Sequence, residues 1–102
     1  MIRITVSYPS VDGQRFDHHY YQKQHADLIR ELLVPQGLKR LEIDKSISDG
    51  SGKPAPVIAA AHMIFEDLAS FQAAMVLHGK ALAADLQNYT DTAPKVLISE
   101  TL

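Results

Sequence analysis

Residues 57–65 read Val-Ile-Ala-Ala-Ala-His-Met-Ile-Phe and are apolar everywhere except at His62. The run is short enough for a strand. A strand with two apolar faces belongs inside a sheet, covered on both sides. The rest of the chain must therefore supply its neighbours. Ile2, Ile4, Val6 and Tyr8 alternate with Arg3, Thr5 and Ser7, the period of a first strand. Leu38–Ile47 supplies another, with Leu41 and Ile43 set against Arg40, Glu42 and Asp44. Lys95–Glu100 closes the chain as a short strand.

Two helices fall between these strands. Asp17 can cap the first, because its carboxylate accepts from free backbone N–H groups in the opening turn. That helix is expected to run to Leu33 or Val34, where Pro35 stops it and Gly37 marks the turn. The second starts near Asp67 or Leu68 and is expected to reach His78. Gly79 breaks it there before a further turn from Lys80 to Leu86. Ser48–Pro56 reads SDGSGKPAP, the composition of a mobile loop tip, and Asn88–Pro94 is an irregular connection. The order is strand, helix, strand, strand, helix, strand. The expected fold is α+β and ferredoxin-like, a single domain over residues 1–102. Its four-stranded antiparallel sheet carries both helices on one face.

Two helices cover one face only. On the third strand Ala59, Ala61, Met63 and Phe65 point one way, and Ile58, Ala60, His62 and Ile64 the other. Large apolar patches are uncommon on monomers, so a homodimer joined sheet to sheet is expected.

Charge and composition exclude other classes. A net charge of −2 with scattered Lys and Arg gives no basic patch for nucleic acid. Pro56–Phe65, the longest apolar stretch, is too short to span a membrane. No leader is expected, because the pattern that starts at Ile2 already looks like a strand. Cysteine is absent, so disulfides and thiolate chemistry are too, which suits a reducing cytoplasm.

The chemistry-bearing candidates are histidines and tyrosines. Tyr21, His25, Leu28 and Leu32 share one stripe of the first helix, with His18 a turn earlier. An imidazole in an apolar stripe is either a core histidine bonded to a carbonyl or a pocket residue acting as acid or base. His78 shares a stripe with Phe71, Met75 and Leu82. It serves either the helix C-terminus or a ligand. His62 faces either the pocket or the dimer seam. Tyr89, in Asn88-Tyr89-Thr90-Asp91, either packs in a turn or closes one end of the pocket. His18 and His19 are adjacent and diverge on a helix, so no metal site is expected. Gly50 and Gly52 precede a strand, which rules out a phosphate loop.

In order and spacing these residues resemble the EthD family of the dimeric α+β barrel superfamily. The resemblance spans nearly the whole chain. Its parts are Ile-x-Ile-x-Val-x-Tyr-Pro at 2–9, Phe16-Asp17, Tyr20-Tyr21 and His25, and Gly37-Leu38-Lys39. Further along come Ala61-His62 with Phe65, Phe71 with Ala74, and Asp85-x-x-Asn88-Tyr89-Thr90-Asp91-x-x-Pro94. Where many relatives carry proline two residues after the histidine, this chain has Asp27. The resemblance implies a homodimer and a small hydrophobic or aromatic metabolite as ligand. It places the family's helix histidine on His25. The chain is then a cofactor-free isomerase, cyclase or oxygenase using His25 and Tyr21, with His62, His78 and Tyr89 against the substrate. Alternatively it is a non-catalytic ligand-binding or accessory protein. No cofactor is implied.

Overall fold

In a computed structural model covering residues 1–102, the strands are β1 (Ile2–Pro9), β2 (Arg40–Lys45), β3 (Val57–Phe65) and β4 (Lys95–Glu100). They form one antiparallel sheet in the order β2-β3-β1-β4. The two apolar-rich strands take the centre, as their sequences require. Each helical crossover skips a strand, so two split β-α-β units interleave, the ferredoxin-like arrangement.

The first helix, α1, has three consecutive pieces: α-helical His18–Tyr20, a π-helical turn Tyr21–His25 and α-helical Ala26–Leu33. Asp17 caps it, accepting from the Tyr20 N–H at 3.0 Å. A 3-10 turn through Pro35 ends it, and Gly37 at φ 105° turns the chain toward β2. A positive φ of that size is one an L side chain rarely adopts. The π turn changes which residues face the sheet. It holds more residues than an α turn, so steps of four stay in line. Tyr21, His25, Ile29 and Leu33 are buried, while Leu28 and Leu32 are only half-buried.

The second helix, α2, spans Leu68–Asp85 without interruption. Its cap is Asp67, which accepts from the Ser70 N–H at 2.8 Å. The break expected at Gly79 does not occur. Glycine within a helix costs only about 1 kcal/mol relative to alanine. Lys80–Ala84 are good helix formers, and Leu82 packs against the core on the far side of Gly79. This continuation carries the chain to Asp85. His78 therefore lies inside the helix, and the C-terminal dipole is not its partner.

The core lies between sheet and helices. Ile4, Met63 and Phe65 meet Ile29, Leu33 and Phe71 there. Ala59 and Ala61, with small side chains, leave room for a second cluster of Tyr8, Tyr21 and Tyr89. The opposite sheet face carries no helix, and it is more polar than β3 alone suggests. Ile58, Ala60, His62 and Ile64 do point there, but their cross-strand neighbours are Arg3, Thr5, Ser7, Arg40, Glu42 and Asp44. The connection from β2 to β3 is turned on Asp49. Its carboxylate accepts from the N–H groups of Ser51 and Lys53, both at 2.9 Å. Those bonds hold the Asp49 carboxyl below the usual carboxylate range. No helix is long and apolar enough to cross a membrane.

Candidate functional site

His25 leaves the end of the π turn and points toward the sheet, 4% exposed. The turn is marked by the Ala26 N–H reaching the Tyr21 carbonyl. π turns inside α-helices recur at functional sites because they displace one side chain from the regular row. The imidazole Nδ1 lies 2.8 Å from Asp85 Oδ2, at the end of α2. The other oxygen, Asp85 Oδ1, accepts from the Tyr20 hydroxyl at 2.6 Å and from Asn88 Nδ2 at 2.9 Å. Three donors from three places in the chain thus converge on one carboxylate.

Burial pushes the Asp85 carboxyl upward, but the hydrogen bonds from Tyr20, His25 and Asn88 outweigh it and hold the group below the usual carboxylate range. Burial lowers the His25 imidazole below its ordinary value, and Asp85 only partly offsets that. Near neutrality the pair is therefore an aspartate beside a neutral imidazole. An ionised carboxylate can only accept, so Nδ1 carries the proton and Nε2 keeps its lone pair.

Beyond Nε2 lie the tyrosines. The Tyr89 hydroxyl is 3.3 Å from His25 Nε2 and 2.6 Å from the Tyr8 hydroxyl. Either Tyr89 donates to His25 while Tyr8 donates to Tyr89, or Tyr89 donates to Tyr8 and leaves Nε2 free. Turning two hydroxyls converts one arrangement into the other. Burial raises the pKa of Tyr8, Tyr21 and Tyr89, so all three remain neutral donors and acceptors. Tyr21 stacks on His25, with ring centroids 5.6 Å apart. Its hydroxyl is fully buried beside that of Tyr8.

A cavity of about 140 Å³ opens beside this row, between sheet and helices. Tyr8, Tyr21 and His25 line its polar end, and Ile4, Ile29, Met63, Phe71 and Met75 form much of its apolar wall. Val96 of β4 lines another side and is 58% exposed, so the cavity opens next to the edge strand.

His25 and Tyr21 thus stand together on the cavity, and Tyr89 stands behind them against His25. His62 is elsewhere. It lies on the helix-free face, with Nε2 2.7 Å from Asp44 Oδ2 and Nδ1 3.2 Å from Thr5 Oγ1. That pair sits in a shallow polar hollow open to water. Period two alone did not say which face His62 would take. Strand register settles it, because His62 pairs with Thr5 and Glu42, both pointing away from the helices. His78 is half-buried on α2 and does not line the cavity. Asp85, Tyr8 and Tyr20 were not among the sequence candidates. Asp85 and Tyr20 do belong to the spaced set that carried the family resemblance, and Tyr8 to its opening strand.

An EthD domain is matched over residues 9–93. No curated protein matches the chain. Among solved structures, an EthD-like protein from Ralstonia eutropha JMP134 is 35% identical. It aligns over 97% of this chain and 89% of its own, with a TM-score of 0.90. An ethyl tert-butyl ether degradation (EthD) family protein from Bacillus halodurans C-125 is 21% identical over 100% and 99% of the two chains, with a TM-score of 0.78. A dimeric protein of ferredoxin-like fold from Bacteroides fragilis NCTC 9343 is 10% identical over 98% and 95%, with a TM-score of 0.64. This chain belongs to the EthD family.

Proposed function

We propose that the protein is a cofactor-free enzyme that moves a proton to or from a small hydrophobic metabolite, with His25 as the acid/base. The observation that carries this is the pairing of Asp85 with His25, which lines the cavity, an arrangement that leaves His25 Nε2 unprotonated near neutral pH. A base held neutral at working pH is what abstraction from an activated carbon or hydroxyl requires. Asp85 orients the ring and stabilises the imidazolium formed on proton transfer. Tyr21, which lines the cavity, would orient the substrate. Tyr89 would pass the proton onward or return it. Isomerase, cyclase and cofactor-independent oxygenase chemistry all begin with such a step.

A ligand-binding protein without turnover is the second reading, and the apolar cavity wall favours it. The two separate in heavy water. The wild type should catalyse deuterium exchange into a small neutral ketone that binds it, and His25→Ala should lose that exchange by roughly 10²-fold or more while staying folded. Binding without exchange by the wild type would leave the binding protein as the function.

A homodimer is part of the same proposal. The helix-free face keeps apolar side chains from β3 among its charged ones, and edge strand β4 exposes Val96, Leu97 and Ile98 in succession. Exposed apolar edges invite pairing with another copy. The dimeric Bacteroides fragilis neighbour of the same fold points the same way. Sedimentation at micromolar concentration should give a dimer, burying at least about 1,200 Å² in total. A monomer at that concentration would contradict it.

A further inference from the structure

We infer that Tyr20 is a positioning residue for the proposed proton transfer: by donating its hydroxyl proton to Asp85 Oδ1, it limits the pull of that carboxylate on the His25 ring and keeps the ring a free base. The inference rests on His25 being the acid/base and adds what adjusts its strength from outside the cavity.

Three observations carry it. The first is how Asp85 divides its two oxygens. His25 Nδ1 has Oδ2 to itself at 2.8 Å, whereas the Tyr20 hydroxyl at 2.6 Å and Asn88 Nδ2 at 2.9 Å share Oδ1. The Tyr20 bond has the ~2.5–2.7 Å length of a hydroxyl donating to an ionised carboxylate. A carboxylate spreads one charge over both oxygens, so density drawn to Oδ1 is lost to Oδ2. Tyr20 and His25 therefore compete for the same charge. Burial alone would raise the Asp85 carboxyl, and the bond from Tyr20 is the foremost of those that outweigh it. The same bond pushes the Tyr20 phenol above its ordinary value, so it keeps the proton it donates.

The second observation is that Tyr20 is held in place independently of Asp85. Its ring stacks on Tyr89, with centroids 6.0 Å apart and planes 21° apart. Its oxygen accepts from Asn88 Nδ2 at 3.3 Å, and a hydroxyl that accepts one bond donates the next more strongly. The third is location. Tyr20 does not line the cavity, so a molecule bound there would not touch it. Its hydroxyl acts on the imidazole through Asp85. No other charged group competes with that route. Asp85 and His25 form an ion pair only with each other. The remaining ionisable side chains around them are Tyr8 from β1, Tyr21 from α1 and Tyr89 after α2, all kept neutral by burial. From β3 come only Ala59 and Ala61.

Tyr20→Phe tests this, because it keeps the ring and removes only the hydroxyl. Asp85 should then hold the Nδ1 proton harder and favour the imidazolium. In a ¹⁵N titration, the ratio of protonated to neutral His25 at a fixed pH should rise roughly 3- to 10-fold over the wild type. The Nδ1–H proton resonance should move downfield as that hydrogen bond strengthens. Asn88→Ala removes the weaker donor to the same oxygen. It should act in the same direction to a smaller extent, and it carries the test if Tyr20→Phe melts too low to titrate. Asp85→Asn should lower the ratio instead. An unchanged ratio in a folded variant would leave Tyr20 a structural residue and overturn the inference. A raised ratio with the Nδ1–H resonance moved upfield would mean that water had entered and loosened the bond, and would overturn it equally. These measurements need no turnover, so they decide the role of Tyr20 even if the wild type shows no deuterium exchange. Where exchange is found, the acid limb of its pH profile should move to higher pH in Tyr20→Phe. Exchange with an unmoved limb would preserve His25 as the base and remove Tyr20 from its control.

Discussion

Asp85→Asn should lower the melting temperature by about 10–20 °C and reduce any proton-transfer activity by roughly 10²-fold or more. The stability effect follows from what the carboxylate holds. It accepts from Tyr20, Asn88 and His25, joining the start of α1, the π turn and the end of α2. Hydrogen bonds to a charged acceptor contribute about 1.5–3 kcal/mol each. Asparagine keeps the shape but offers one acceptor oxygen in place of two and loses the charge. A net loss of about 2–4 kcal/mol is expected. The activity effect has a separate cause. An amide NH₂ facing Nδ1 would favour the tautomer with the proton on Nε2, the wrong nitrogen for a base at the cavity. Melting curves and exchange rates measured on one preparation separate the two. A variant that melts normally and retains activity would remove Asp85 from both roles.

The second large effect is acid lability. Burial holds folded His25 below the ordinary imidazole value of ~6.5. As pH falls below ~6.5, the unfolded chain takes up a proton that the folded chain refuses. Stability therefore declines from that point until the pH passes below the folded value. His18, also lowered by its partial burial, acts in the same direction. Asp85 adds a later loss. Its folded value lies below the unfolded one, so its contribution is complete above ~3.9 and disappears as pH falls through the folded value. Melting temperature should fall from pH 7 to pH 5 and fall again below pH 4. His25→Gln should reduce the first decline, while the bonds from Tyr20 and Asn88 keep most of the second. A wild type that gains stability between pH 7 and pH 5 would mean that His25 is protonated in the fold.

Much of this architecture is readable in the chain. β1, β3 and β4 follow from alternation and the 57–65 run, and Asp17, Asp67 and Pro35 mark three helix boundaries by their chemistry. His25 stands out in the chain as the ionisable ring in an apolar stripe, and it lines the cavity. Further along, the buried stripe departs from the α-helical spacing. Periodicity assumes an α-helix throughout, and a π turn is invisible to it, so Leu28 and Leu32 stood where Ile29 and Leu33 belong. The Asp85 partnership was hidden for a different reason. It joins residues 60 apart in sequence, and it depends on α2 continuing through Gly79. Local propensity stops the helix at His78, whereas packing of Leu82 beyond the glycine extends it. Likewise, the polar neighbours of β3 could be read one strand at a time, but their arrangement around His62 needed the register.

The state of the His25 ring is the point on which the account turns, and ¹⁵N chemical shifts of the imidazole measured across a pH titration read it directly. At pH 7 they should show a neutral ring with the proton on Nδ1 and a bare Nε2. Protonation should come only below the ordinary histidine range, and Asp85→Asn should shift the tautomer toward Nε2–H. A ring already protonated at pH 7, or a neutral ring carrying its proton on Nε2, would contradict the assignment of His25 as a base facing the cavity.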